Sequence, residues 1–342
     1  MEENRQITMK DIARELGISV ATVSRALADS HIISKQRREM IQAYAREHNF
    51  TPNSIAKDLR NTKKKPVKVI GVIIPELVHF FFASVLDGIE AEASKHGYRI
   101  MVAQSKEDFE REVKICNSFY ENRVCGIIVS LAKGTKQYDH FVKLQANGVP
   151  LVFYDRICHG INASRVVVDD YHGAFKAVCH LIDTGCKRIA FYGSMMNLEI
   201  SKNRFNGYKD ALLKHKIPYD ESIIRMCDNR QDAEVITPEI LSMENRPDAF
   251  FAINDDTAVG ILYTAKNMGL RIPEDISICG FTNSQRARAT EPMLTTVDQH
   301  GYMVGSEAVA ALLSIVEGEV PKDKLIKKIV RTELIIGGTT RN

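Results

Sequence analysis

TMKDIARELGISVATVSRALADSHIISKQRREMIQAYAREHNFTPNSIAKDLR is the sequence of residues 8–60, and its pattern decides the fold of the amino-terminal part. Thr8 is placed to cap a first helix, with Asp11 at the acidic position of a capping box. Gly17 predicts the end of that helix, because the residue that follows a helix often has a positive φ. Ser19 is placed to cap a second helix, and a third helix follows. The segment therefore predicts three helices, the first two joined by a tight turn.

The first two helices have the spacing of a helix-turn-helix unit, which places its second helix in the major groove of DNA. The small side chain of Ala13 favours the close crossing that such a unit needs. At the start of the second helix, apolar groups suit thymine methyls, hydroxyls suit phosphates, and a guanidinium suits guanine. The predicted DNA contacts here are Thr8, Ser19, Val20, Ala21, Thr22, Ser24 and Arg25. A plain three-helix bundle is the alternative.

The distribution of charge favours DNA binding over the plain bundle. Residues 1–68 contain fourteen Lys and Arg against eight Asp and Glu, whereas the rest of the chain contains 32 against 35. The net charge of +3 therefore belongs to a basic head on a slightly acidic body. Because phosphate neutralisation supplies most non-specific affinity for DNA, a basic head is typical of a nucleic-acid-binding unit.

Three strings carry a family resemblance: T-M-K-D-I-A at 8–13, G-I-S-V-A-T-V-S-R at 17–25 and F-T-P-N-S-I-A-K-D-L at 50–59. With them the chain resembles the lactose-repressor (galactose-repressor) family of bacterial transcription regulators. The resemblance continues through essentially the whole chain. It implies a homodimer that binds double-stranded, pseudo-palindromic operator DNA and responds to a small-molecule effector, a sugar or sugar derivative.

Residues 52–66 predict a hinge helix and linker, because 61–66 are polar, charged and end in proline. The helix is too short to persist alone in water. The resemblance implies that two such helices pair in the minor groove, where Leu59 wedges the central base step; packing of Leu59 on its own subunit is the alternative. The predicted hinge contacts are Asn53, Ser54, Ala56, Lys57, Leu59 and Arg60.

From Val67 onward, apolar strands alternate with helices, which predicts parallel sheets covered on both faces. The expected strands are VKVIGVII, YRIMVA, GIIVSL, VPLVFYD, RVVVD, KRIAFYG, DAFFAI and ISICGF, and the expected helices include Phe81–His96, Glu107–Asn122 and Thr257–Met268. The resemblance implies an α/β, periplasmic-binding-protein-like body of two lobes, with the ligand between them at the carboxyl ends of the strands.

The predicted domains follow from these patterns. A helix-turn-helix head covers 1–51, the hinge covers 52–66, and an effector-binding and dimerisation domain covers 67–342. Within that domain, the family resemblance implies lobe 1 at about 67–168 and 298–326, and lobe 2 at about 169–297 and 327–342.

Several polar and aromatic side chains are expected to face the cleft. Arg204 matches the family's effector-binding arginine and could fork onto ligand hydroxyls or an acidic group, with a surface salt bridge as the alternative. Asp155, Asn254 and Asp255 directly follow predicted strands. The predicted effector contacts are Phe81, Phe82, Asp155, Arg204, Asn254, Asp255 and Thr282, of which the two phenylalanines could also belong to the core.

Thr282 departs from the family pattern, which often has an acid at this point. A hydroxyl in its place removes a charge that would hold ligand hydroxyls strongly. The effector is therefore expected to differ from simple galactosides, or to carry an anionic group that an acid here would repel.

Composition and motifs argue against other classes of protein. The seven cysteines have no CxxC pair and read as reduced thiols, and the neighbours Cys158–His159 and Cys179–His180 fit no metal-binding spacing. No secretory segment, membrane-length apolar run, phosphate loop or nucleophile elbow is found. We therefore expect a cytoplasmic, nucleoid-associated protein without cofactor, metal or catalytic residues.

The sequence thus predicts a dimeric, ligand-responsive transcription regulator, a repressor of carbohydrate-utilisation genes. The last strand is followed by 337–342 and no heptad repeat, which favours a dimer over a tetramer. A small-molecule binding protein and a sugar-processing enzyme with an accessory DNA-binding head are the alternatives.

Overall fold

Three helices form the amino-terminal head. In the computed structural model, which describes residues 7–48, 50, 68–321 and 324–341, they are α1 Met9–Glu15, α2 Val20–Leu27 and α3 Lys35–Glu47. Thr8 and Asp11 form the predicted capping box. Ser19 caps α2, since its Oγ accepts a 3.1 Å hydrogen bond from the amide of Thr22. Gly17 has a φ of +58°. The predicted helix starts and the predicted stop are confirmed.

The head has its own apolar core, to which all three helices contribute. Its buried members are Ile12, Ala13, Val23, Ala26, Ile41 and Ala45. Polar contacts add to this packing, because Gln42 on α3 donates a 2.9 Å hydrogen bond to the carbonyl of Ala26 at the end of α2. The second helix is thereby held against the third.

The described part of the body contains twelve strands. They are β1 Val69–Ile74, β2 Arg99–Gln104, β3 Gly126–Val129, β4 Leu151–Tyr154, β5 Ser164–Val168, β6 Ile189–Gly193, β7 Ile224–Met226, β8 Ala249–Ala252, β9 Ser277–Thr282, β10 Thr295–Asp298, β11 Lys327–Val330 and β12 Glu333–Ile335. The helices between them are α4 Phe80–Lys95, α5 Phe109–Glu121, α6 Asp139–Ala146, α7 Asp170–Asp183, α8 Glu199–Lys214, α9 Arg230–Leu241, α10 Asp255–Asn267, α11 Gln285–Arg288 and α12 Gly301–Val316.

These strands form two six-stranded sheets, one per lobe. The first sheet has the order β11-β5-β4-β3-β1-β2 and the second has the order β12-β10-β9-β8-β6-β7. All neighbours are parallel except the antiparallel pair β10–β12. The predicted α/β architecture is confirmed, because continuous apolar strands such as β1 and β8 are buried on both faces.

Helices α4 and α12 approach each other closely on one face of the first sheet. A Cβ added at Gly88 would lie 2.0 Å from the carbonyl oxygen of Tyr302, and one at Gly305 would lie 2.0 Å from that of Val85. Glycine is required at both positions because any side chain would push the helices apart. The first-lobe core therefore depends on residues far apart in the sequence.

The chain passes between the lobes three times. The first two passages, after β5 and after β10, lie where the sequence predicts them, and Asp169 caps α7 at the first through a 3.4 Å bond from the amide of His172. The expected lobe border at 326/327 is wrong, because β11 pairs in parallel with β5 and so belongs to the first lobe. The third passage lies between Val330 and Glu333.

The eight strands predicted from the sequence are present, and the three predicted helices lie within two residues of the observed bounds. Four further strands, β7, β10, β11 and β12, have only three or four residues each. Three of these lie at sheet edges, where exposed polar positions weaken the apolar pattern that predicts a strand. The hinge contacts Asn53, Ser54, Ala56, Lys57, Leu59 and Arg60 lie outside the described residues.

Candidate functional site

Helix α2 presents its predicted DNA contacts unevenly. Ala21, Ser24 and Arg25 are exposed. Val20, by contrast, is half-buried against the head core. Thr22 is half-buried, and its hydroxyl lies 2.8 Å from that of Ser19.

Thr8 caps helix α1 and so stabilises the fold of the head. Its hydroxyl donates a 2.5 Å hydrogen bond to Oδ2 of Asp11, and its backbone amide donates a 2.9 Å bond to the same oxygen. DNA contacts at Thr8 and on α2 remain predictions.

A cavity of about 320 Å³ lies between the two lobes of the body. The seven residues predicted to contact an effector all line it: Phe81, Phe82, Asp155, Arg204, Asn254, Asp255 and Thr282. They come from both lobes, and most follow the carboxyl end of a strand, where ligands of open α/β sheets bind. The structure therefore brings the predicted set together, while its role in binding remains a prediction.

Arg204 is buried and ion-paired within the second lobe. Its Nε and Nη2 lie 2.8 and 2.7 Å from Oδ1 of Asp170, and Nη1 donates a 2.5 Å hydrogen bond to the carbonyl of Ile253. Its guanidinium carbon lies 3.8 Å from the ring centroid of Phe281. Burial raises the pKa of Asp170 to about 6, although Arg204 acts in the opposite direction. A surface salt bridge is thus the wrong description of Arg204, which is held in one orientation at the cavity wall.

Asp155 is the cavity carboxylate with the fewest partners. It is 4% exposed and has a φ of +56° directly after β4. Its neighbour Arg156 has Nε 3.9 Å away, but Nη1 of Arg156 lies 2.8 Å from both carboxylate oxygens of Glu107. Burial raises the pKa of Asp155, and Arg156 opposes that effect. No described group forms a hydrogen bond with the Asp155 carboxylate, so its oxygens are available to a ligand.

Asn254 and Asp255 already have internal partners. Oδ1 of Asn254 accepts a 2.8 Å bond from the amide of Thr257 and caps α10, while Nδ2 donates a 2.7 Å bond to the carbonyl of Asp228. Asp255 accepts a 2.6 Å bond from the amide of Ser284 and a 2.5 Å bond from the hydroxyl of Thr296. Both residues tie loops of the second lobe together at the cavity floor.

Thr282, Phe81 and Phe82 line the cavity and also form contacts within the fold. Thr282 has a φ of +137°, which residues with a Cβ rarely adopt, and donates a 3.0 Å bond to Oε1 of Gln299. Phe81 and Phe82 are 8% and 4% exposed and belong to the first-lobe core. The core alternative for these rings is therefore supported, although both also line the cavity.

Sequence reasoning missed several polar residues of the cavity. They are His79, Lys133, Arg156, Ser194, Asp228, Asp256, Arg286 and Gln299. A signal for four of them existed, because Lys133, Arg156, Ser194 and Asp256 follow the predicted strands β3, β4, β6 and β8 within four residues. For Asp170, the partner of Arg204, the sequence indicates only a position at the start of a helix and not the ion pair.

Two of the missed acids are held ionised by partners. Burial raises the pKa of Asp228, but hydrogen bonds from Lys133 and Ser194 outweigh it and lower that pKa overall. The pKa of Asp256 is lowered chiefly by its hydrogen bond with His79, with Arg286 acting in the same direction against burial.

The described residues contain no group of three or more His, Cys, Asp or Glu that could hold a metal ion. Among the described helices, none combines the length and apolar character needed to cross a bilayer. All seven cysteines are free thiols, and six of them are buried.

Known proteins resemble this chain along nearly its whole length. The family model described as bacterial regulatory proteins, lacI family, matches residues 8–53, and the periplasmic binding protein-like domain model matches residues 178–340. The HTH-type transcriptional repressor CytR of Escherichia coli K12 is 31% identical over 98% of this chain and 96% of its own length. The chain belongs to the lacI family of bacterial regulatory proteins.

Other relatives of this lacI-family protein are regulators as well. Catabolite control protein A of Priestia megaterium is 30% identical over 96% of this chain and 98% of its own length. The ribose operon repressor of Bacillus subtilis is 30% identical over 91% and 92% of the two chains. The protein is therefore a DNA-binding transcription regulator.

Solved structures confirm the fold of this lacI-family chain. The lac repressor dimer bound to operator and the anti-inducer ONPF has a TM-score of 0.83 at 23% identity, over 99% of this chain and 100% of the other. A LacI family regulator from Enterococcus faecium with bound ribose has a TM-score of 0.71 at 26% identity, over 80% and 99% of the chains.

Proposed function

We propose that this regulator is a homodimeric repressor of carbohydrate-utilisation genes, controlled by a sugar-like effector in the interlobe cavity. The observation that carries the proposal is the placement of Asp155 and Arg204. They come from different lobes and face one cavity of about 320 Å³, a volume suited to a small ligand. A ligand whose hydroxyls bond to both would favour one relative orientation of the lobes.

A neutral effector fits this cavity better than an anionic one. Each cation that lines it already has a carboxylate partner: Lys133 with Asp228, Arg156 with Glu107, Arg204 with Asp170, and His79 and Arg286 with Asp256. A phosphorylated ligand would have to displace one of these carboxylates. Asp155, in contrast, offers acceptor oxygens to hydroxyl or amine donors. Of the two expectations drawn from Thr282, we therefore favour an uncharged ligand other than a simple galactoside.

The switch follows from differential binding. An effector that prefers one orientation of the lobes shifts the population toward it. In a dimer, this shift would change the spacing of the two amino-terminal lobes and hence whether two hinge segments can pair on operator DNA. The protein would act in the cytoplasm, where the operator is.

The proposal is tested by a ligand screen followed by operator binding. Ribose, hexoses, cellobiose, nucleosides and their phosphorylated forms are added during thermal unfolding, since a ligand at a hundred times its Kd stabilises by about 2.7 kcal/mol. We expect an unphosphorylated sugar or nucleoside to stabilise the protein and to change its retardation of DNA from its own upstream region. Stabilisation only by phosphorylated compounds would contradict the neutral-effector proposal.

The same experiment separates the alternative functions. We propose that the cavity binds without catalysis, because each of its cations is paired with a carboxylate. Among the described residues, the one lining hydroxyl that donates to a carboxylate bound by a cation, that of Ser194, donates to Asp228, whose lowered pKa makes it a weak base. Chemical turnover of the stabilising ligand would favour the enzyme alternative. Ligand binding without any DNA retardation would favour the small-molecule binding protein.

A further inference from the structure

Three ion pairs join the two lobes around the cavity, counted among the described residues. They are Lys133–Asp228, His79–Asp256 and His159–Glu199. Two of these pairs are ionic only when their histidine is protonated. A lysine is charged throughout the physiological range. The Lys133–Asp228 pair, with Nζ 2.6 Å from Oδ2, is therefore the one permanent electrostatic link across the cavity within the described residues.

The first-lobe end of this link is fixed by two glutamates at the start of α5. Glu107 accepts a 2.7 Å bond from the amide of Lys133. The fully buried Glu112 accepts a 2.9 Å bond from the amide of Ala132. Glu112 also accepts a 2.8 Å bond from the hydroxyl of Thr135. The loop that carries Lys133 is thus attached to its own lobe through both backbone and side-chain contacts.

The second-lobe end is fixed as well. The hydroxyl of Ser194 donates to the carboxylate of Asp228, and Nδ2 of Asn254 donates a 2.7 Å bond to its carbonyl. Both ends of the pair are therefore held by their own lobes. Breaking or forming the Lys133–Asp228 bond therefore changes the relative position of the lobes, because neither side chain is carried by a loop that could move separately.

We propose that Lys133 and Asp228 form a latch that holds the cleft closed and sets how well the cavity is preorganised for its ligand. The side chains are 27% and 23% exposed, so solvent screens their attraction less than that of a surface pair. Closing of the cleft forms the bond, and opening breaks it. Because apparent ligand affinity scales with the fraction of closed molecules, loss of the latch weakens binding without removing a ligand contact.

The latch itself is tested in the ligand-free full-length protein by hydrogen–deuterium exchange of the peptides that line the cavity. In Lys133→Met and in Asp228→Asn we expect these peptides, in both lobes, to exchange about fivefold faster. The charge-reversed pair Lys133→Glu with Asp228→Lys is expected to return close to the original rates. Lys136→Met is the matched control, because Lys136 is exposed on the same loop and forms no ion pair with a described residue.

Two outcomes of the exchange experiment would overturn the latch. One is unchanged exchange in both single variants. The other is exchange in the charge-reversed double variant that is as fast as expected from adding the effects of the two single variants. If the latch is right, the restored ion pair has to restore closure and slow exchange.

A second arm uses ribose and rests on the proposed function. By calorimetry we expect the Kd for ribose to rise about fivefold in each single variant and to recover in the charge-reversed pair. If Lys133 or Asp228 instead contacts the ligand, the reversed pair would bind worse than either single variant, and the latch would be wrong. If the unmodified protein does not bind ribose, the expected ligand class fails, while the exchange experiment still decides the latch.

Discussion

Arg25 is the exposed side chain on α2 best suited to distinguish one base pair from another. A guanidinium can donate two hydrogen bonds to the edge of guanine in the major groove. We expect Arg25→Ala to weaken operator binding by about 1–3 kcal/mol per half-site and to relax the preference at one base pair. Binding to operators changed at each position in turn measures both effects.

A second head variant separates base reading from phosphate contact. Arg37 is exposed on α3, outside the predicted recognition helix. Arg37→Ala is therefore expected to leave the preference for one sequence over another unchanged. Should Arg25→Ala also leave this preference unchanged, Arg25 contacts phosphate and not a base.

Arg204 is expected to contribute both to effector binding and to the stability of the second lobe. Arg204→Lys keeps a positive charge but cannot bond Asp170 and the carbonyl of Ile253 together while facing a ligand, because an ammonium lacks the planar fork. We expect the unfolding free energy to fall by about 1–3 kcal/mol and the operator complex to stop responding to the effector. Urea unfolding and calorimetric titration measure these effects. An unchanged effector affinity would move the effector site away from Arg204.

At the scale of elements, the turn between α1 and α2 depends on the backbone of Gly17. Its φ is +58°, and no atom lies within 4 Å of an added Cβ. The effect of Gly17→Ala is therefore conformational strain alone, about 1 kcal/mol. We expect faster amide exchange in both helices and weaker operator binding by the full-length chain.

Gly148 provides the control for this prediction. It has a φ of +77° in the body, again with no atom within 4 Å of an added Cβ. Gly148→Ala is expected to introduce similar strain and to leave operator affinity unchanged. Equal losses of operator binding in the two variants would show that strain anywhere in the chain, and not the turn geometry, limits DNA binding.

The elements also show what the sequence could predict. The caps at Thr8 and Ser19 are readable because a cap involves residues three positions apart. The membership of β11 in the first sheet could not be predicted, since its pairing with β5 joins residues about 160 positions apart. At the site, Asp155 could be predicted because it follows the end of a strand. Arg204 could be predicted because it lies where the family pattern places an arginine. The partners Asp170 and Asp228 depend on how separate elements meet, which no local pattern shows.

At the scale of the whole body, stability is expected to depend on pH through His79, which pairs with Asp256 of the other lobe. Its pKa is raised chiefly by a hydrogen bond with Asp256 and also by Glu76, against the effects of burial and of Arg156. A raised pKa means that the stabilisation is fully present below the ordinary histidine pKa and is lost as pH rises through the raised value.

His79→Gln tests this dependence. We expect it to lower the unfolding free energy by at most about 1 kcal/mol near pH 5.5, because the side chain is one-third exposed, and by less near pH 8. Arg286 also pairs with Asp256 and keeps that carboxylate partnered at high pH. Urea unfolding at both pH values decides; a larger loss at pH 8 would contradict the assignment.

The complete regulator is expected to be a dimer on a two-fold operator. Two recognition helices related by a two-fold axis match two half-sites, so the operator should be pseudo-palindromic. Sedimentation equilibrium at micromolar concentration should give twice the chain mass. A stable four-chain mass, or equal affinity for an isolated half-site and a full site, would contradict this arrangement.

The three passages of the chain between the lobes constrain the order in which the protein can be made. The core of the first lobe includes Val304 and Leu312 on α12 and Val330 on β11. A nascent chain that has emerged from the ribosome as far as β5 still lacks these side chains, whereas the buried members of the head core are complete by Ala45. The head can therefore fold early in synthesis. The first lobe cannot finish folding before β11 has been translated, and the second cannot finish before β12. A truncated messenger would therefore yield a folded head without a functional switch.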